Sequence, residues 1–327
     1  MAAGVDAVVA GAGGFIGGHL VADLLAEGKT VRAVDVKPLD QWYQVHPEVE
    51  NLQRDLADLE ACREAVGEGA GEVYNLACNM GGMGFIENNK ALCMLSVLPS
   101  THMLMASRDA EVGRFFYSSS ACVYAGYKQT DADVTALKEE DAYPADAEDG
   151  YGWEKLFSER MARHFREDFG LQTRVARYHN IYGPEGTWEG GREKAPAATC
   201  RKIAVAALTG ETEVEIWGDG EQTRSFTYID DCVHGTKMLT RGDVTEPLNL
   251  GSSELTTIND LYYLVADIAG IEIKLKHVDG ALGVRGRNSD NTLIEKHFGW
   301  EPSISLREGM AKTYAWVYDQ VKAKYHL

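Results

Sequence analysis

A tyrosine and a lysine four residues apart are the clearest chemical pair in the sequence. Tyr151 and Lys155 open a segment with helical character, so their side chains project from one face of a helix. An ammonium group beside a phenol lowers the phenol pKa from about 10, which favours proton transfer near neutral pH. The pair therefore predicts an acid and base for a substrate hydroxyl.

A glycine-rich turn near the start predicts where a dinucleotide binds. The turn follows an apolar strand and precedes a helix, so backbone N–H groups can approach a pyrophosphate closely. Asp35 ends the next strand, 18 residues after Gly17. A carboxylate there accepts from the adenosine ribose hydroxyls and repels a 2′-phosphate, which favours NAD over NADP. The residues expected to bind the cofactor are Gly11, Gly14, Phe15, Ile16, Gly17, Asp35, Asp55, Tyr151 and Lys155.

A third group of motifs connects these two sites. A predicted strand runs into Ser118–Cys122, between the glycine turn and Tyr151. With this combination, the chain resembles the extended short-chain dehydrogenase/reductase family over almost its whole length. Finer motifs resemble the members of that family that epimerise GDP-mannose at C3 and C5; they are Met80–Ile86, Ser119–Cys122, His179–Pro184, Gly190–Pro196, Trp217–Gly220 and Val284–Asp290.

The resemblance implies an epimerisation that passes through a transient ketone. Tyr151 and Lys155 would support oxidation of C4 by NAD, and the ketone would acidify the C3 and C5 protons. Cys122 and Lys194 would act as the acid and base that invert these carbons. Return of the hydride to C4 would complete the conversion of GDP-mannose to GDP-L-galactose, so that NAD is recycled.

The same resemblance implies where the GDP-sugar substrate binds. Arg224 and Arg287 would contact the nucleotide diphosphate, because the planar guanidinium suits that group. The full expected substrate set is Gly81, Ser120, Ala121, Cys122, Asn180, Glu193, Lys194, Lys202, Gln222, Arg224 and Arg287.

The chain departs from the family pattern at three places near these residues. Asn79 stands where Asp is usual, Leu95–Leu98 lacks a usual asparagine, and Gly150 replaces an alanine. Pro99 is expected to bend or break the helix that contains it.

Other functions remain as alternatives. A 4-epimerase of the same fold needs no thiol at position 122. A 4-keto-6-deoxy-sugar epimerase-reductase pairs such a thiol with histidine and consumes NADPH, whereas this chain has Asp35 and Lys194. A 4,6-dehydratase would carry an Asp-Glu pair in place of Ala121 and Cys122. A non-catalytic NAD-sensing regulator would not need the four catalytic groups.

The charge and composition of the chain argue against nucleic-acid binding and against a membrane span. The 327 residues carry a formal net charge of −18, which opposes binding to nucleic acid. The longest uncharged run, Ala91–Ser107, is shorter than a typical membrane span and predicts a buried or dimer-interface helix. By resemblance, this run and Gly152–Phe169 would pair in a homodimer. The six cysteines form no CxxC pair, which predicts a cytoplasmic protein without a metal site.

The predicted elements alternate as in a doubly wound α/β fold. Apolar runs predict buried parallel strands at Ala7–Ala10, Thr30–Asp35, Val73–Leu76 and Arg114–Ser118. Later helices are expected at Thr257–Ala269 and Leu306–Lys322. We therefore expect a Rossmann-type NAD-binding domain over residues 1–178, joined by about 224–250, and a smaller C-terminal substrate-binding lobe over 179–327.

Overall fold

The chain is built around a parallel β-sheet with helices on both faces. A computed structural model describes residues 4–280 and 283–326. In chain order its strands are β1 (Ala7–Ala10), β2 (Val31–Asp35), β3 (Glu50–Gln53), β4 (Glu72–Asn75), β5 (Arg114–Ser120), β6 (Thr173–Tyr178), β7 (Ile181–Tyr182), β8 (Glu213–Trp217), β9 (Thr223–Ser225), β10 (Thr227–Tyr228), β11 (Leu248–Leu250), β12 (Leu255–Thr257), β13 (Lys274–Val278) and β14 (Gly286–Arg287).

The helices connect these strands. In chain order they are α1 (Phe15–Ala26), α2 (Leu59–Val66), α3 (Met83–Asn88), α4 (Lys90–Met94), α5 (Val97–Asp109), α6 (Asp149–Phe169), α7 (Ala195–Thr209), α8 (Ile229–Arg241), α9 (Ile258–Ala269), α10 (Thr292–Phe298) and α11 (Leu306–Tyr325).

The central sheet has seven strands in the order β11-β6-β5-β4-β1-β2-β3, all parallel. Alternate residues of each strand face opposite sides: Val9 packs toward α1 and α8, whereas Val8 packs toward α2, α5 and α6. The strand order reverses at β1, so a crevice opens where the carboxyl ends of β1 and β4 diverge. The Rossmann-type fold predicted from the sequence is confirmed.

One edge of this sheet is formed by a segment from late in the chain. β11 pairs with β6 through Leu248 and Leu250, and α8 packs against the same face as α1. Arg114 Nη1 donates to Thr240 O at 3.0 Å, and Arg174 Nε donates to Gly242 O at 2.8 Å. These contacts fix the returning segment to the two neighbouring strands.

The smaller lobe lies beyond the carboxyl ends of the strands. Its helices α7, α9 and α11 pack together through buried side chains that include Ile203, Leu261 and Val317. β8 pairs with β13, and β9 lies between β12 and β14. The alternating burial of β8 shows that one face of that strand meets the core while the other faces solvent.

The departures at Leu95–Pro99 and Gly150 have structural explanations. The helix predicted over this region is interrupted at Leu95 and Ser96, between α4 and α5, as Pro99 led us to expect. Pro99 cannot donate to the carbonyl four residues earlier, and its ring crowds that group. A Cβ at Gly150 would lie 2.3 Å from Lys90 O, so glycine permits the close approach of α6 to α4.

Candidate active site

The glycine turn after β1 takes a conformation that glycine makes possible. Gly11 N donates to Val34 O at 2.8 Å, and Gly11 has a φ of +84°. A Cβ at Gly17 would lie 2.2 Å from Gly11 O, so the start of α1 could not pack this closely on the turn with any other residue. The turn therefore holds the helix N-terminus against the crevice.

The N-terminus of α1 fits a bound pyrophosphate. The helix starts at Phe15 and Ile16, its N-cap Gly14 has no side chain to cap the free N–H groups, and no acidic residue lies in its first turn. Uncapped N–H groups and the helix dipole together favour an anion at this position. These residues suit the phosphates of a dinucleotide.

Asp35 is the last residue of β2, and Asp55 lies just after the neighbouring strand β3. Asp35 is largely buried at the end of β2, where its Oδ1 accepts from Lys37 N at 3.0 Å. Lys37 Nζ reaches back to Gly13 O at 3.2 Å, which connects this strand end to the glycine turn. Asp55 lies exposed in the turn after β3, where its Oδ1 accepts from Ala57 N at 2.9 Å.

Tyr151 and Lys155 lie on the buried face of α6, as their spacing predicted. Lys155 Nζ donates to Ser118 O at 2.9 Å and lies 5.6 Å from the centre of the Tyr151 ring. Burial raises the pKa of Tyr151 well above its usual value, and the positive charge of Lys155 opposes that rise. The lysine is thus placed to stabilise a tyrosinate.

Cys122 lies in a 3-10 turn, Ala121–Val123, that follows β5. Ser120 Oγ accepts from Cys122 N at 3.2 Å and fixes the turn. Arg287 Nη1 lies 3.5 Å from Cys122 Sγ, while Arg287 Nε donates to Gln129 Oε1 at 2.7 Å. Arg287 also forms an ion pair with Glu148. Two acceptors, Gln129 and Glu148, therefore hold the Arg287 guanidinium beside the thiol.

Lys194 is the N-cap residue of α7 and approaches the site from the other lobe. The backbone before it is joined to the Gly81–Gly82 turn, because Gly82 N donates to Arg192 O at 3.0 Å. Burial lowers the pKa of Lys194, although Cys122 and Cys78 oppose the shift. A lowered pKa increases the neutral amine that can accept a proton.

The side chains expected to be catalytic lie around one cavity of about 270 Å³ at the carboxyl edge of the sheet. Tyr151, Cys122 and Lys194 line it, and Lys155 lies behind Tyr151. Every residue of the substrate set expected from the sequence also lines it; the set is Gly81, Ser120, Ala121, Cys122, Asn180, Glu193, Lys194, Lys202, Gln222, Arg224 and Arg287.

Several polar side chains of the cavity are oriented by the lobe that carries them. Asn180 Nδ2 donates to Ser225 O at 2.9 Å, and Lys202 Nζ donates to Glu215 O at 2.5 Å. Glu193 Oε1 accepts from Arg201 Nη2 at 3.1 Å.

Two further side chains of the cavity wall carry polar groups that a ligand could contact. Arg224 donates to Val284 O at 2.6 Å, and burial lowers its pKa to about 10. Gln222 Oε1 is buried without a hydrogen-bond partner within the described residues.

Sequence reasoning missed the residues that hold Arg287 against Cys122. Gln129 and Glu148 both lie in irregular segments, so no periodicity marks them. Cys78 was also missed, although it lies among the partly buried residues packed on Cys122 and Tyr151. No spacing signal identifies these three residues, because they meet the site only through the fold.

Comparison with known protein families identifies the family to which this chain belongs. A family model described as the NAD dependent epimerase/dehydratase family matches residues 7–251. The chain belongs to this family. Membership confirms the expected extended short-chain dehydrogenase/reductase resemblance and the use of NAD.

Curated members of the NAD dependent epimerase/dehydratase family are similar over nearly the whole chain. GDP-mannose 3,5-epimerase 1 of Oryza sativa subsp. japonica is 46% identical over 96% of this chain and 82% of its own length. GDP-mannose 3,5-epimerase of Arabidopsis thaliana is 45% identical over the same shares. Among solved structures, UDP-glucose 4-epimerase of Thermotoga maritima, solved with UDP-glucose, has a TM-score of 0.85 and 26% identity, covering 96% of this chain and 99% of that chain.

Two features are absent from the described residues. Within residues 4–280 and 283–326, no group of three or more His, Cys, Asp or Glu side chains could hold a metal ion. The helices of the same residues include none that is both long and apolar enough to span a membrane.

Proposed function

We propose that this chain converts GDP-mannose to GDP-L-galactose by NAD-dependent epimerisation at C3 and C5. The observation that carries the proposal is the shared cavity, in which Cys122 and Lys194 face the same space as Tyr151. The relatives that are 45–46% identical are GDP-mannose 3,5-epimerases, which supports the same substrate here.

Tyr151 and Lys155 would handle the proton of the C4 hydroxyl. Bound NAD would supply the chemistry of accepting and returning the C4 hydride. Lys155, held by Ser118 O, would stabilise Tyr151 as a phenolate, which would accept the hydroxyl proton and become a phenol. The phenol would later return the proton to the same oxygen.

Cys122 and Lys194 would handle the protons of C3 and C5. They come from different elements, the turn after β5 and the start of α7, so they can reach a sugar from two sides. Burial favours the neutral amine of Lys194, so one group of the pair can accept a proton while the other donates one to the same carbon.

Solvent exchange in heavy water tests the reaction directly. GDP-mannose incubated with the purified protein and NAD should gain deuterium at C3 and C5 but none at C4, and GDP-L-galactose should accumulate. A 4-epimerase would invert C4 without solvent label, a dehydratase would label C6, and an NAD-sensing regulator would leave the sugar unchanged. Inversion at C4 with unlabelled C3 and C5 would refute the proposal.

Two variants should separate the hydride step from the proton steps. Tyr151→Phe should abolish turnover and exchange, because C4 oxidation loses its proton acceptor. Cys122→Ala should still reduce bound NAD in a single turnover, visible as absorbance near 340 nm, but should lose the deuterium uptake. Normal product formation by Cys122→Ala would remove this thiol from the mechanism.

We also propose a homodimer that pairs through α4, α5 and α6. α4 and α5 both pack against α6, and an apolar face lies exposed along them. That face consists of Leu92, Met94, Leu95, Leu98, Trp153 and Phe157, each 37–54% exposed. Exposed apolar area of this kind on neighbouring helices is characteristic of an interface.

We further propose a cytoplasmic location and a division of the chain into two interleaved lobes. All six cysteines are free thiols in the structure, which suits a reducing compartment.

The NAD-binding domain would comprise residues 1–178 with about 224–250, because β11 extends the central sheet. The remaining residues from 179 onward would form the substrate lobe.

A further inference from the structure

A buried carboxylate lies directly behind the Tyr151–Lys155 pair. Glu154 is 2% exposed, and its Oε1 accepts from Tyr117 Oη at 3.0 Å and Ser158 Oγ at 2.9 Å. Ser100 Oγ lies 3.4 Å from the same oxygen. Groups from α5, β5 and α6 thus hold this carboxylate in one orientation.

The second carboxylate oxygen faces the lysine. Glu154 Oε2 lies 3.8 Å from Lys155 Nζ and has no hydrogen-bond partner within the described residues. Lys155 is 1% exposed, donates to Ser118 O, and lies 4.8 Å from the centre of the Tyr117 ring. The ammonium is therefore enclosed by a carbonyl, an aromatic face and a carboxylate.

A lysine buried this deeply would tend to lose its proton. Removing an ammonium from water costs several kcal/mol unless an opposite charge or acceptors replace the solvent. A neutral lysine would no longer stabilise a phenolate on Tyr151. Burial alone lowers the pKa of Lys155, but Cys78, Glu154 and Tyr151 together raise it above the usual lysine value.

We propose that Glu154 is a positioning residue for Tyr151, because its carboxylate keeps Lys155 charged and directed at the Ser118 carbonyl. The inference rests on the proposed function only for the role of Tyr151. It assigns to Glu154 a purpose that its own hydrogen bonds do not explain, since the oxygen nearest Lys155 is the one without a partner.

Other titratable groups also face this pair, and the test must separate them from Glu154. Cys78 follows β4, Cys93 lies on α4 and Cys122 follows β5. Tyr117 lies on β5 and Tyr151 on α6. The carboxylate of Glu154 is the one anionic group among them whose charge can be removed without changing a thiol or phenol.

The test is the titration of Lys155 by NMR of ¹³C-labelled lysine, assigned with Lys155→Met. In the NAD-bound wild type, Lys155 should stay protonated to at least about pH 10. In Glu154→Gln, which keeps the shape, the midpoint should fall by about three pH units or more, so that Lys155 loses its charge near neutral pH. An unchanged midpoint in a folded Glu154→Gln protein, or a wild-type midpoint well below that of free lysine, would overturn the proposal.

Two matched variants separate charge from structure. Glu154→Asp keeps the charge and should hold the Lys155 midpoint within about half a unit of wild type. Ser158→Ala removes a hydrogen bond to Oε1 but leaves the charge, so it should lower stability without moving the midpoint. A midpoint in Ser158→Ala that falls as far as in Glu154→Gln would contradict a specific role for the carboxylate charge.

The pH dependence of kcat gives an independent measurement, because the direction of its shift distinguishes two roles of Glu154. Loss of charge on Lys155 raises the pKa of Tyr151, so the acidic limb of the kcat profile in Glu154→Gln should move to higher pH with KM unchanged. If Glu154 only repelled the phenolate, that limb would move to lower pH instead, which would count against the proposal. If the wild type proves inactive on GDP-mannose, the proposed function fails, while the lysine titration still decides the role of Glu154.

Discussion

The carboxylate of Asp35 lies at the end of β2, where the sequence predicts that it selects between the two nicotinamide dinucleotides. It is 7% exposed at the end of β2, and the N–H of Lys37 fixes its orientation. Lys37 itself is engaged with Gly13 O, so its ammonium points to the glycine turn. We therefore expect cofactor choice at this site to depend on one side chain and its immediate backbone.

NAD should bind much more tightly than NADP, and Asp35→Ala should weaken NAD binding while leaving the fold intact. The physical reason is repulsion between the carboxylate and a 2′-phosphate, together with loss of the ribose hydrogen bonds. Calorimetric titration of both cofactors into both proteins measures the effect. Equal affinities of the wild type for NAD and NADP would remove Asp35 from cofactor selection.

At the scale of elements, the contact between the Gly81–Gly82 turn and the segment before α7 sets the geometry of the proposed acid and base. A Cβ at Gly82 would lie 2.5 Å from Glu193 O, so an alanine there must displace the backbone next to Lys194. Cys122, on the turn after β5, would not move with it. The two groups would then lose their alignment on the sugar.

Gly82→Ala should lower kcat by about 100-fold, because a displacement near one ångström is enough to misalign a proton transfer. NAD affinity should remain at the wild-type value, since the glycine turn after β1 is untouched. Gly126→Ala is the matched control, because a Cβ at that glycine would have no atom within 4 Å. Wild-type kcat in Gly82→Ala would show that this contact does not position Lys194.

Apolar runs made much of the central sheet predictable. β1 spans the predicted Ala7–Ala10, and α9 begins one residue after the predicted Thr257. β3 was not predicted, because Glu50–Gln53 is polar and only partly buried at the sheet edge. β11 has three residues, too short for any periodicity to identify.

The candidate site was predictable where it depends on local spacing or on a motif. Tyr151 and Lys155 share a helix face because they are four residues apart, and Asp35 ends a recognisable strand. The supporting residues were not predictable. Glu154 meets Ser100 across 54 positions of sequence, and Arg287 meets Gln129 across 158, so only the tertiary fold brings them together.

At the scale of the whole molecule, a buried histidine between β6 and β7 bonds to β11 and should make stability depend on pH. His179 follows β6; its Nε2 donates to Asn249 Oδ1 at 2.9 Å, and its Nδ1 has no partner within the described residues. Burial lowers the pKa of His179 to about 4. The folded chain therefore holds this ring neutral.

Between pH 6.5 and about 4 the unfolded chain binds a proton at His179 that the folded chain does not, so stability falls as the pH falls through this window. At pH 5 the loss from this group should be about 2 kcal/mol relative to pH 7. Urea unfolding of the wild type and His179→Asn at both pH values isolates the contribution. Identical losses in the two proteins would show that His179 does not cause it.

The proposed dimer makes a prediction at the same scale. Phe157→Glu should convert the protein to a monomer, because it places a charge in the middle of the exposed apolar face of α4, α5 and α6. Tyr263→Glu is the control, since Tyr263 is 50% exposed on α9, against 51% for Phe157. Light scattering at micromolar concentration reports the mass; a monomeric wild type would refute the interface.

The return of α8 and β11 to the central sheet limits how segments of this protein can be replaced by those of a relative in a chimaera. A chimaera with a single crossover after β6 would take β5 and β6 from one parent and β11 from the other. Arg114 and Arg174 would then meet foreign carbonyls in place of those of Thr240 and Gly242. Under the proposed division, transfer of the whole substrate lobe would require two separate segments to be replaced together. New sugar specificity in this architecture is therefore easier to reach by point substitution in the cavity wall than by recombination of lobes.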